Sequence, residues 1–155
     1  AILALRKLQV EVEKDPSKFD QALRLATVQV QLGQNQKGVN MLLKIIERPD
    51  VNMTNLLMAA EFFNQLGDSK SLELALVRLT QKMPESPESW YDLAGVQASD
   101  GSRIKETWMT LAKALSLDKL RRSNDAAADN LYERVQGDPR FAEIRLLPEY
   151  KSWQP

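Results

Sequence analysis

Cysteine and histidine are both absent from this sequence. Their absence excludes thiolate nucleophiles, thiolate or imidazole metal sites, and every triad that uses imidazole as its base. It also excludes a disulfide framework, without choosing between the cytosol and an oxidising compartment, so localisation stays open. No run of about 18 apolar residues occurs, and no membrane-inserted segment is expected. Excess charge of either sign is missing too: 21 basic and 21 acidic side chains cancel, with pI near 6.6. No global field then gathers phosphate backbones or anionic lipid, and nucleic acid is not expected as a partner. The start Ala1-Ile2-Leu3-Ala4 has neither Met nor the charged opening of a signal peptide, and reads as part of a longer protein.

What remains is ordinary globular material, 43% hydrophobic and 27% charged over 155 residues. Its order lies in Gly33, Gly67 and Gly101, which stand 34 residues apart at the same point of an apolar pattern. Such a period marks stacked helix pairs, none of which buries its apolar face alone. Leu5, Leu8 and Val12, with Ile2 and Leu3, predict a helix from Ala1 to Lys14 that Asp15-Pro16 stops. Phe19, Ala22, Leu25, Ala26 and Val28 predict the next, over 18–32, closed by Gly33; a partner over 36–48 is buried through Val39, Leu42, Leu43, Ile45 and Ile46.

The pattern then recurs. A helix over 53–66 turns Leu56, Ala59, Ala60 and Phe63 inward, and one over 70–82 uses Leu72, Leu76 and Leu79. The third cycle runs over 87–99 through Trp90, Leu93, Ala94 and Gln97, turns at Asp100-Gly101, and resumes over 105–117 with Thr107, Leu111, Ala114 and Leu115. This last helix comes one residue late, which predicts a longer turn at Ser102 and Arg103.

Trp90, Leu93, Ala94 and Gly101, with Gly38-x3-Leu42-x2-Ile45, Leu72-x3-Leu76-x2-Leu79 and Thr107-x3-Leu111-x2-Ala114, resemble the tetratricopeptide repeat. Gln29 and Gln97 depart from it, standing where the family commonly carries an aromatic, while Phe63 fits. Pro16 and Pro84 supply the closing proline that Asp50 and Asp118 replace. The resemblance covers about two thirds of the chain. It implies an all-α, right-handed superhelix of antiparallel helix hairpins, a tetratricopeptide-like α-solenoid, with a C-terminal capping helix. Residues 1–16 form the second helix of a truncated repeat. Repeats follow over 17–50, 51–84 and 85–118, the last with a one-residue insertion, and residues 119–155 are capping helix and tail.

Within that end segment, Asn124 is placed to cap a helix carrying Ala127, Ala128, Leu131, Tyr132 and Val135, ended by Gly137-Asp138-Pro139. A short helix over 141–146 then ends at Pro148. Tyr150 and Trp153 add to the cap if the tail folds back; otherwise the tail is mobile.

Carboxylate pairs at one-turn spacing, Glu85/Glu88 and Asp125/Asp129, read as solvated helix faces, because no pocket is evident that separates their pKa values. Lys119, Arg121 and Arg122, followed by Arg134, Arg140 and Arg145, could serve an anion. The interleaved Asp118, Asp125, Asp129, Glu133 and Asp138 favour balanced surface charge instead. Trp90 reads as core, Trp108 as more exposed, and the methionines as packing filler. No catalytic residues, cofactor or metal are expected.

The resemblance places the inner groove on the first helices of successive repeats. There it puts Asp20, Leu23, Arg24, Thr27 and Gln31; then Thr54, Leu57, Met58, Glu61 and Gln65; then Glu88, Tyr91, Asp92 and Gly95. One family mode clamps a peptide's terminal carboxylate with Lys, Asn and Arg. Here the corresponding places hold Leu23, Thr27, Met58, Glu88 and Asp92, whose acids repel a carboxylate. A protein or peptide with apolar anchors for Leu57, Met58 and Tyr91 and a basic group for Glu88 or Asp92 fits better. A related RNA-binding repeat uses a 35-residue unit and a basic groove, unlike this one. The function implied is a non-catalytic scaffold or assembly module. The alternative is a structural segment that self-associates through the apolar stripe Ile2, Leu5 and Leu8.

Overall fold

A computed structural model describes residues 2–155; Ala1, expected in the first helix, lies outside the described residues. Every regular element among them is helical. These are α1 (Ile2–Lys14), α2 (Phe19–Gln31), α3 (Asn35–Ile46), α4 (Met53–Gln65), α5 (Ser69–Lys82), α6 (Pro87–Gln97), α7 (Ile104–Asn124), α8 (Leu131–Gly137) and α9 (Pro148–Lys151). Single 3-10 turns lie at Gly101–Arg103, Pro139–Phe141 and Ile144–Leu146. The chain divides into two compact units, one ending at Arg78 and one spanning Leu79–Pro155, so the division falls inside α5.

In the first unit α2 packs on α3, with α1 against α2 and α3 against α4. Its core is Phe19, Ala22, Leu25 and Ala26 of α2, Val39, Leu42, Ile45 and Ile46 of α3, and Leu56, Ala59, Ala60 and Phe63 of α4. Val28 and Leu43, expected inside, are only half-buried. Gly38 lets α3 approach α2 closely, since a Cβ there would lie 2.9 Å from the carbonyl oxygen of Ala26. Arg78 Nε donates to the Ile46 carbonyl at 2.9 Å and Nη2 to that of Arg48 at 3.2 Å. A guanidinium thus satisfies carbonyls at and beyond the C-terminal end of α3.

The ends of α2 and α4 follow one rule. Gly33 and Gly67 sit at φ 75° and 69°. Around the first, the Gly33 amide donates to Val30 and the Gln34 amide to Gln29; around the second, Gly67 donates to Asn64 and Asp68 to Phe63. This is the Schellman arrangement, which pairs two carbonyls that a helix end otherwise leaves open. The Asp68 carboxylate then accepts from the Ser71 amide and hydroxyl at 3.1 and 2.8 Å, starting α5.

Gly101 behaves differently. It has no positive φ and opens a 3-10 turn whose Ser102 amide donates to Asp100 at 3.1 Å. The extra residue before α7 is taken up by this tighter winding.

In the second unit α6 packs on α7, and α7 on α8. Tyr91, Leu111, Leu115, Leu131, Val135 and Phe141 lead its apolar cluster. Four expectations are corrected here. Helix α7 does not stop at Leu117 but runs on to Asn124, because Asp118 does not end it: its carboxylate is fully buried and accepts from Arg121 and Arg122 at 3.0 Å and from the Leu131 amide at 3.1 Å. Asn124 is therefore inside α7, Ala127 and Ala128 lie in a turn, and Asn130 caps α8 by accepting from the Glu133 amide at 3.2 Å. The helix expected over 141–146 is instead a pair of 3-10 turns flanking 142–143, held by Arg145 Nη1 donating to the carbonyls of Val135 and Asp138 at 2.7 and 2.6 Å. Pro148 starts α9 rather than ending a helix, as suits a residue with no amide hydrogen to satisfy.

The tail is docked. Tyr150 is buried, stacked on Tyr132 and edge-on to Trp108, and Trp153 packs edge-on to Trp108 as well. Trp108 is consequently half-buried. Trp90, expected in the core, is only half-buried too, its indole N–H donating to the Pro84 carbonyl at 2.9 Å.

A Cβ at Gly67 meets nothing within 4 Å, so substitution there costs backbone strain alone. Gly67→Ala should lower the unfolding free energy by about 1–2 kcal/mol, whereas Gly101→Ala should change it by less than about 0.5 kcal/mol. Urea denaturation of the two variants checks this, and equal losses would contradict the distinction between the two turns.

Candidate functional site

Three side chains, one per helix, show how the expected groove residues are distributed: Leu23, Leu57 and Tyr91 share one register position on α2, α4 and α6. In the first unit the positions around it stay accessible. Leu23 and Thr27 of α2 and Thr54, Leu57, Met58, Glu61 and Gln65 of α4 are brought together, with Phe62, around an open groove of about 440 Å³. The helical period explains the grouping: Thr54, Leu57, Met58, Glu61 and Gln65 recur at three- and four-residue steps and form one face of α4. Opposite lie Leu56, Ala59, Ala60 and Phe63, which are buried.

Leu57 is 52% exposed and Met58 38%, large values for apolar side chains on a helix whose other face is core. Thr27 is turned to its own helix, donating to the Leu23 carbonyl at 2.9 Å. Gln65 Nε2 donates to Glu61 Oε1 at 3.1 Å, which orients the carboxylate lining the groove. Asp20, Arg24 and Gln31 are exposed but do not line this cavity. Phe62 does line it and was not among the expected residues. Its place next to Phe63, edge-on at 6.2 Å, put the second ring just outside the inward set.

In the second unit the same register is covered by the chain itself. Tyr91 is 1% exposed, its ring edge-on to Phe141 at 5.4 Å and its hydroxyl donating to Asp138 Oδ2 at 2.8 Å. Gly95 is buried under Arg140: a Cβ there would lie 2.2 Å from Nη1. Both were expected as groove surface, and both are corrected by the residues after α8 that return over α6. Arg134 stands 4.8 Å above the Tyr91 ring. The glycine inside α6 was the available signal, since glycine in a helix interior often marks a close approach.

Charges follow the same division. Glu88 pairs with Arg121, so it is not free for a basic partner. Desolvation works to raise its carboxyl, but the Arg121 hydrogen bond and charge outweigh it and hold Glu88 below its ordinary value. Asp92 remains exposed, and desolvation pushes its carboxyl above the ordinary value against the pull of Arg140 and Arg134.

The basic residues singled out earlier are mostly engaged within the chain. Arg121 and Arg122 hold Asp118, Arg140 holds Asp138 at 2.7 Å, and Lys119 Nζ donates to the Gln154 carbonyl at 3.1 Å. Among the described residues no group of three or more carboxylates is placed to hold a metal ion, and no helix is long and apolar enough to cross a membrane.

The Tyr91–Asp138–Arg140 contact has a pH signature. The Arg140 hydrogen bond, joined by that of Tyr91, lowers Asp138 to about 2, while burial and the Asp138 bond raise Tyr91 to about 12. A depressed carboxyl stabilises the fold fully above about pH 4 and loses that contribution as pH falls toward 2; a raised phenol contributes fully below about pH 10 and loses it as pH rises through 12. In denaturation series across pH, Tyr91→Phe should therefore flatten the alkaline decline relative to the unaltered chain. An unchanged alkaline limb would contradict this placement of Tyr91.

In comparisons with known protein families and with curated proteins, nothing matches the chain.

Proposed function

We propose that this chain is a non-catalytic protein- or peptide-binding module built from tetratricopeptide-like helix pairs, with the α2/α4 groove as its docking face. The observation that carries the reading is the exposure of Leu57 and Met58 together with Phe62 and Leu23 around a groove of about 440 Å³. An accessible apolar face on a helix whose opposite face is core is what a docking surface requires. Support for the repeat comes from the 34-residue register and from two helix ends, at Gly33 and Gly67, built on the same hydrogen bonds.

The partner chemistry is a large apolar side chain beside a basic group. Leu23, Leu57, Met58 and Phe62 suit the first, and Glu61 suits the second. The face of α6 supports the same chemistry. At the register of Leu57, Tyr91 receives an aromatic ring, Phe141, and two arginines from its own chain.

Peptides selected from a displayed library on the full chain should therefore be rich in large apolar residues next to Lys or Arg. The double variant Leu57→Asp/Met58→Asp should weaken the selected peptides at least tenfold, about 1.4 kcal/mol, with unchanged helix content and unfolding midpoint. Undiminished affinity would place the docking face elsewhere.

A second reading rests on α1, where Ile2 is 71% and Leu3 81% exposed. Apolar residues so placed suit self-association. Sedimentation equilibrium of the chain and of Ile2→Glu/Leu3→Glu separates the two readings: a monomer in both cases removes self-association.

A further inference from the structure

A second, larger groove opens in the first unit, enclosing about 570 Å³ and lined by residues of α1, α2 and α3. Its apolar lining is Val12, Leu25, Met41 and Ile45, with Pro16 of the α1–α2 loop. Gln29, also lining it, is only 5% exposed, and its amide oxygen has no hydrogen-bond partner. Burying an unpaired amide is unfavourable, and the fold does not need one at this position: Phe63, 34 residues on, is fully buried and apolar. Gln97, a further 34 residues on, also has an unpaired amide oxygen, but the 390 Å³ cavity of its unit is lined by Ala98 and Ser99 and not by Gln97. Gln29 thus combines an unsatisfied buried amide oxygen with a place in the lining of an apolar groove.

Charge narrows the occupant. Lys37 and Lys44 line the groove from α3, two turns apart, about 10 Å along the helix axis. None of the ion pairs among the described residues involves either lysine. Glu13 of α1 also lines the groove, so the field is not one that favours a uniform polyanion.

We propose that this groove binds an acidic peptide segment. A large apolar side chain enters between Leu25 and Met41, the Gln29 side chain turns from its buried position to accept from a neighbouring amide or hydroxyl, and carboxylates on either side reach Lys37 and Lys44. This site is separate from the α2/α4 groove and takes the opposite charge, so either proposal stands or falls without the other.

The test uses the full chain and two blocked, fluorescently labelled peptides. One carries two glutamates three residues apart, about 10 Å in an extended chain, with leucine and asparagine between them; the other has lysine in both acidic places. Anisotropy titration should show saturable binding of the glutamate peptide at micromolar concentration and at least tenfold weaker binding of the lysine peptide.

Lys37→Glu/Lys44→Glu, two exposed changes that leave the core intact, should weaken the glutamate peptide at least tenfold. Gln29→Leu should weaken it about fivefold without lowering the unfolding midpoint, a result that a purely structural glutamine would not give. Leu57→Asp/Met58→Asp should leave it unchanged. The proposal is overturned if the glutamate peptide shows no saturable binding, if the two peptides bind equally, or if the lysine variant binds as the unaltered chain does. Should Gln29→Leu fail to fold, the lysine variant alone decides.

Discussion

A helix cannot continue past a residue held at positive φ, and that constraint shapes the first unit. Gly33 and Gly67 end α2 and α4, and with two hydrogen bonds each they reverse the chain so that the next helix begins within a few residues. Because both turns are built alike, α2 and α4 present corresponding side chains in the same register, and the apolar residues of α4 divide between a buried face and an accessible one. The accessible face exists because the buried one is already satisfied: Leu56, Ala59, Ala60 and Phe63 fill the core, leaving Leu57 and Met58 without a place in it. The accessible apolar face thus follows from how the helix is stopped and phased.

The second unit solves a different problem. Its α6–α7 turn is a 3-10 winding, and α7 overruns because Asp118 is made part of the helix by a buried carboxylate network. A buried charge is costly unless paired, and here two guanidinium groups and the amide that begins α8 share it. The same network fixes where the C-terminal segment starts, so that Phe141, Arg140 and Tyr150 come back onto α6 and α7. The acidic groove end foreseen at Glu88 and Asp92 is consequently occupied in part by the chain's own arginines.

What was legible in the sequence follows from this contrast. The spans of α2 to α6 could be read to within a residue or two because Pro, Gly and capping residues act locally. The length of α7 could not, since Asp118 looks like a surface residue until the Leu131 amide, thirteen positions on, is known to reach it. Tyr91 was misplaced for a related reason: periodicity tells which face of α6 it occupies but not which later residues cover that face. Gln29 was visible as a departure from an aromatic position, yet only the structure shows its amide oxygen buried without a partner beside an apolar groove.

On the proposed reading the partner-facing role falls to α2 and α4, where apolar surface is open and Glu61 is the carboxylate of the groove. The five methionines report on this directly, because Met58 lines that groove, Met41 lines the other, and Met109 stands 72% exposed on α7. Methyl NMR of the chain labelled at methionine, titrated with a peptide carrying a large apolar side chain beside an arginine, tests the account most directly. The Met58 resonance should shift in a saturable way while those of Met83 and Met109 stay in place. A stationary Met58 with saturable movement at Met109 would contradict it.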